Sequence, residues 1–129
     1  MDRIVYADHS ATTAVRPEVL EAMLPYFSEN YGNPSSIYKI AQKSKVAVDN
    51  ARHQVAQAIG AADGEIYFTG CGTEADNWAL KSIAENYANK GNHIITSAVE
   101  HHAILHTCEY LEKKGIRVTY LPVDKDGQV

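Results

Sequence analysis

Two short stretches hold the residue types whose spacing suits chemistry. The first is Thr69-Gly70-Cys71-Gly72-Thr73-Glu74. Its glycines let the backbone approach a ligand closely or take up positive φ. A helix opening here would turn unpaired N–H groups and a positive dipole end toward an anion. Thr73 would add a hydroxyl donor. A phosphate fits that description. So does a plain strand-to-helix turn with Thr73 as its N-cap. The stretch lacks the Gly-Lys-Ser/Thr ending of a Walker loop and the three-glycine dinucleotide fingerprint. Glu74 and Asp76 need no function, since acids are favoured in a first helical turn. The second stretch is Ser97-Ala98-Val99-Glu100-His101-His102. A histidine just past a strand end can cover a planar ligand or move a proton near neutral pH. It can equally be a solvated surface residue.

Other reactive side chains read more plainly. His102 and His106 share a helix face, with Cys108 nearby. Paired-cysteine spacing and the His-Glu-x-x-His order are both absent, so no metal site is expected. Cys71 sits where a helix start would favour a thiolate, but an anion on the loop would occlude it. Cys108 falls within a helical period as a small buried hydrophobe. None of the eight lysines falls in either stretch.

The elements that must position these stretches follow from periodicity. Ile4-Val5-Tyr6 reads as a strand or strand-like arm before the polar cluster Asp8–Thr13. Pro17 suits a first helical turn; Val19, Leu20, Met23, Leu24 and Phe27 continue at helical spacing, with Pro25 kinking or ending the helix. Asn30–Ser36 is dense in turn formers. Residues from Ile37 to Ile59 repeat apolar positions at intervals of three and four, an amphipathic helix closed near Gly60. Glu65–Thr69 then reads as a strand, followed by the glycine turn and a helix stopped at Gly91. His93–Ser97 is the next strand, His102–Lys114 a helix stopped by Gly115, and Ile116–Leu121 a third strand. Alternation at this pace predicts an α/β fold, an arm and helices followed by βαβαβ with mainly parallel pairing and right-handed crossovers. Both reactive stretches then leave carboxyl ends of strands, where parallel sheets bind ligands.

Composition sets the bounds. A chain of 129 residues holds one domain with a real core. Apolar residues at 45 % and charged ones at 22 % exclude disorder. Twelve basic against sixteen acidic side chains, net −4, argue against nucleic-acid binding by phosphate neutralisation. Apolar runs are too short for a bilayer span, and the N-terminus lacks a signal-peptide apolar segment. Two cysteines make no disulfide scaffold, so a reduced, cytoplasmic setting is expected. Asp124–Val129 is a turn signal leading into an apolar residue, as expected where more chain follows.

Four segments in order resemble the cysteine desulfurases of the NifS/IscS type, in the class V aminotransferase group of pyridoxal-phosphate enzymes. They are Tyr6–Thr13, Tyr31–Ser36, Phe68–Asn77 and Ser97–Ala103, and the likeness runs from Tyr6 to Val129. The resemblance implies that Gly72 and Thr73 hold the cofactor phosphate. It also implies that His101 stacks on the pyridine ring and serves in proton transfer. Residues 1–36 would be an N-terminal arm, helix and loop, and 37–129 part of the large cofactor-binding domain, incomplete at its C-terminus. Many members have Ser-Gly where this chain has Gly70-Cys71, so one donor hydroxyl is missing from the loop. Family members are much longer, and their cofactor-linking lysine and persulfide-carrying cysteine match nothing here. The implied complete enzyme is a homodimer of longer chains, converting L-cysteine to L-alanine plus an enzyme persulfide for an iron–sulfur scaffold or other acceptor. The 129 residues alone are expected to be inactive. A selenocysteine lyase or another class V member is the alternative within the group, and a non-catalytic remnant the alternative outside it.

Overall fold

The computed structural model describes residues 4–129. The chain forms two compact units, one ending at Tyr67 and the other spanning Phe68–Val129.

In the first unit, helix α1 (Pro17–Met23) and helix α2 (Pro25–Ser28) each begin on a proline. A ring without an N–H costs nothing at a first helical position, so Pro25 starts the second helix by breaking the first. Helix α3 (Lys39–Ile59) is the long amphipathic helix, closed by Gly60 in the left-handed region at φ 70°. Its buried residues are Ala41, Ser44 and Ala56, which draw neighbouring backbone close. Ser44 Oγ donates to the Asn30 carbonyl at 2.9 Å. A methyl group on Gly32 would run into the carbonyl of Ile40. The turn-rich loop before α3 is therefore stitched to the helix it precedes.

After α3 the structure departs from the expected strand. Asp63–Glu65 forms a 3-10 turn, its start closed by the Ala62 N–H donating to the Glu65 carboxylate at 2.7 Å. Residues 66–69 lie outside the ladder, and the sheet among the described residues has two strands. Composition favours extended backbone here, and Ile66 has φ −97°, ψ 123°, but a strand also requires a ladder to join. Ile4-Val5-Tyr6 likewise lies outside any sheet among the described residues. Nearby, the Tyr6 and Thr12 hydroxyls are 2.8 Å apart.

The second unit is built from helix α4 (Gly72–Asn86), strand β1 (His93–Ser97), helix α5 (His102–Glu112) and strand β2 (Arg117–Leu121). The strands pair parallel, with His93 opposite Arg117 and Ser97 opposite Leu121. The Ala98 N–H extends the ladder to the Leu121 carbonyl at 2.9 Å. Helix α5 is the crossover that parallel neighbours require. It buries Ala103, Thr107, Cys108 and Leu111, the three-and-four spacing of one helical face. Gly115, at φ 92°, supplies the left-handed residue that lets the chain turn from α5 into β2. Helix α4 ends at Asn86, one turn before the expected stop at Gly91, and turns follow it. Among the described residues, no helix is long and apolar enough to cross a membrane.

Candidate functional site

The candidate site lies within the second unit, at the start of α4 and along the groove between α4 and α5. Helix α4 begins two residues earlier than a Thr73 cap would require. Cys71 is its N-cap, in extended backbone and without a side-chain capping bond, and Thr73 is its second residue. Among the described residues, the amides of Gly72 and Thr73 have no intrachain acceptor. The next amide with a backbone acceptor is that of Ala75, bonded to the Cys71 carbonyl at 3.2 Å. Upstream, the Gly70 N–H donates to the Glu74 carboxylate at 2.7 Å, drawing the turn back onto the helix.

Gly72 is conformationally ordinary. Its φ is not positive, and a methyl group built on it meets no atom within 4 Å. Nothing in the local packing therefore calls for glycine. Close approach of a ligand to the backbone would.

The groove has a volume of about 370 Å³ and is lined by two facing stripes. Thr73, Asn77 and Lys81 repeat every four residues along α4; His102, His106 and Tyr110 do so along α5, with His101 at its head. The structure thus brings Thr73 and His101 onto one groove, while Gly72 sits just beside it at the mouth of the helix. Asn77 ties the two helices at this point. Its side-chain N–H donates to the Thr73 carbonyl at 3.0 Å and to the Ala103 carbonyl at 3.5 Å. Lys81 holds its ammonium 5.1 Å from the centre of the Tyr110 ring.

His101 is the N-cap of α5. Its Nδ1 accepts the Ala103 N–H at 3.1 Å, which fixes the ring and leaves Nε2 as the nitrogen that carries a proton. The residue is exposed, so that N–H and the ring face remain open. Cys71 is exposed and Cys108 fully buried. Burial, then the nearby charges of Glu112 and Glu100, push the Cys108 thiol above its ordinary value, the direction that leaves it inert. The His102 and His106 rings stack at 5.0 Å, but Cys108 does not join them, and no cluster of three ligand-type side chains occurs among the described residues.

Asn77, Lys81 and Tyr110 carried no role in the sequence reading. The signal was present as i, i+4 spacing from Thr73 and from His106. What it lacked was the knowledge that α4 and α5 turn those stripes toward each other.

An aminotransferase class-V profile matches residues 5–129. The chain belongs to this family. Members of the class V family use pyridoxal phosphate. The chain is 62 % identical over 128 residues to cysteine desulfurase IscS of Methanosarcina thermophila. It is 60 % identical over 129 residues to cysteine desulfurase IscS of Clostridium botulinum (strain Kyoto / Type A2). These alignments cover 99 % and 100 % of the chain but 32 % of each relative. The chain thus spans about a third of the length of the curated relatives it matches. Among solved structures, a NifS-like protein superposes with a TM-score of 0.84 at 43 % identity, over 91 % of this chain and 32 % of that one. SspA in complex with cysteine gives 0.82 at 40 %, over 90 % of this chain and 33 % of that one. The class V resemblance and the α/β fold are both borne out.

Proposed function

We propose that this chain supplies part of the cofactor seat of a pyridoxal-phosphate-dependent cysteine desulfurase. The observation that carries the reading is the meeting of α4's open first turn with His101 on a single groove. It is supported by relatives named cysteine desulfurase along the whole of the chain. The fit to the cofactor rests on chemistry already described. The amides of Gly72 and Thr73 are free to donate, and the helix end is positive toward a phosphate. His101 offers an exposed planar ring whose orientation is fixed by its own helix cap. Bound pyridoxal phosphate supplies an electron sink for the substrate's α-carbon.

Within that chemistry, Gly72 and Thr73 anchor the phosphate through their N–H groups, and Thr73 adds its hydroxyl. His101 covers the ring and holds or moves a proton at Nε2. Asn77 positions both by bonding the Thr73 and Ala103 carbonyls. The overall reaction joins L-cysteine and an enzyme thiol to give L-alanine and an enzyme persulfide. Neither Cys71 nor Cys108 is assigned as that thiol. We further assign a homodimeric, cytoplasmic enzyme that passes sulfur to an iron–sulfur scaffold or another acceptor.

The test has two arms. Pyridoxal phosphate is titrated into the chain, with Thr73→Ala alongside, and sulfide release from L-cysteine is assayed. The same assay is repeated with the remaining two-thirds of a relative supplied as a second polypeptide. Cofactor binding weakened by Thr73→Ala, no sulfide from the chain alone and sulfide from the pair are expected. Failure of the chain to bind the cofactor in either arm would overturn the reading.

A further inference from the structure

The groove carries one feature that cofactor binding does not use. His102 and His106 are the only two of the six histidines separated by four residues. Both are exposed on α5, and their rings lie 5.0 Å apart with planes only 24° from parallel. Two imidazoles sharing one ion at the usual metal–nitrogen distance of about 2.0–2.1 Å bring their ring centres to a similar separation. Because both rings are exposed, turning a nitrogen of each toward a common ion requires only side-chain rotation.

We propose that His102 and His106 form a two-imidazole chelate for a divalent transition-metal ion that prefers nitrogen ligands. The surroundings select the class of metal. No carboxylate lines the groove, so calcium and magnesium find none of the anionic oxygen donors that dominate their sites. Lys81 lines the same groove, and His102 opens α5 at its positive end. Both features repel a cation held by charge alone. Only an ion that gains from bonds to imidazole overcomes them, which favours copper(II) and then nickel(II). Cys108 is fully buried and contributes no thiolate. The ion is therefore bound exchangeably, with its other positions filled by water. The remaining four histidines offer no such pair: His9 lies against the Tyr6 ring, His53 bonds Asp63, His93 bonds Thr119 and Arg117, and His101 accepts the Ala103 N–H.

The experiment titrates copper(II) and nickel(II) into the full chain carrying Cys71→Ser, which removes the exposed thiol as a competing ligand. Isothermal calorimetry reads stoichiometry and affinity, and two-dimensional NMR of the imidazole resonances reads location. One equivalent should bind, copper more tightly than nickel. Joining two ligands on one scaffold multiplies affinity, so His102→Gln or His106→Gln alone should each weaken binding on the order of a hundredfold. Paramagnetic broadening should begin at His102 and His106 and leave His53 and His93 sharp. Unchanged affinity in both variants, broadening centred on other histidines, or the lack of saturable binding would each overturn the proposal.

Discussion

Replacing Gly72 with alanine separates what the fold needs from what a bound phosphate needs. A methyl group there meets no atom, and alanine is the better helix former, so the variant should be as stable as the parent or gain up to about 1 kcal/mol. If the Gly72 N–H donates to a phosphate at close range, pyridoxal-phosphate affinity should nonetheless fall by about tenfold. Thermal melting and cofactor titration of one protein sample read both. His101 calls for a different pair of variants, because its ring also caps α5. His101→Ala removes cap and ring together and should cost about 0.5–2 kcal/mol, whereas asparagine keeps a capping side chain. His101→Asn should therefore restore stability while leaving the cofactor's absorbance as altered as in His101→Ala. Recovery of both by asparagine would remove the ring's assigned role. At this scale the sequence was legible in residue types: glycines beside a helix start and a histidine after a strand are compatible with ligand chemistry and equally with a plain turn and a surface residue. It could not disclose that His101 caps its own helix, since histidine is not among the favoured N-caps.

Helices and turns were legible where local rules act alone. Pro17, Pro25, Gly60 and Gly115 punctuate the elements as their backbone chemistry dictates, and the periodicity read from Ile37 to Ile59 meets a helix that starts two residues later, at Lys39, and ends at Ile59. The expected strand at Glu65–Thr69 failed because propensity does not provide a ladder. Gly32 shows an element-level constraint that composition hides. Its place in a turn-rich run suggests only flexibility, yet the Ile40 carbonyl and the Ala41 Cα, 2.9 Å from an added methyl, leave no room for a side chain. Gly32→Ala should cost about 1–3 kcal/mol through forced backbone movement, and denaturant unfolding will measure it. A second link joins β2 to α5, where the Tyr120 hydroxyl donates to the Glu112 carboxylate at 3.1 Å. Partial burial, then this bond and the Glu112 charge, push the Tyr120 phenol up to about 12. The protonated phenol is the form the fold favours. Its contribution is therefore complete below the ordinary value of 10.0 and lost as pH rises toward 12. The tyrosinate difference spectrum between the parent and Tyr120→Phe should show a single group titrating in that upper range. A midpoint at the ordinary value would show the link to be unimportant.

Each compact unit leaves large apolar side chains in solvent. In the first, Ile4, Phe27 and Ile37 are 91 %, 72 % and 95 % exposed; in the second, Ile95 and Val99 exceed 60 %. Apolar exposure on this scale is the ordinary mark of surfaces that find a partner. The isolated chain should self-associate as its concentration rises, by sedimentation velocity, and Phe27→Ser with Ile37→Ser should shift it toward monomer. A strictly monomeric parent would show that these side chains are tolerated singly. This property was only faintly legible: residue periodicity predicts which face of a helix is apolar, but not whether anything covers it.

The first turn of α4 also carries its own reporter. Amides that lack an intrachain acceptor exchange their hydrogens with water far faster than those locked in a helix. In the chain without ligand, the Gly72 and Thr73 amides should lose their signals to deuterium almost at once, while those deeper in α4 persist. Any anion that seats at the helix mouth must slow these two sites in proportion to its occupancy. Two backbone hydrogens thereby become a gauge of ligand residence, readable with no turnover and no chromophore.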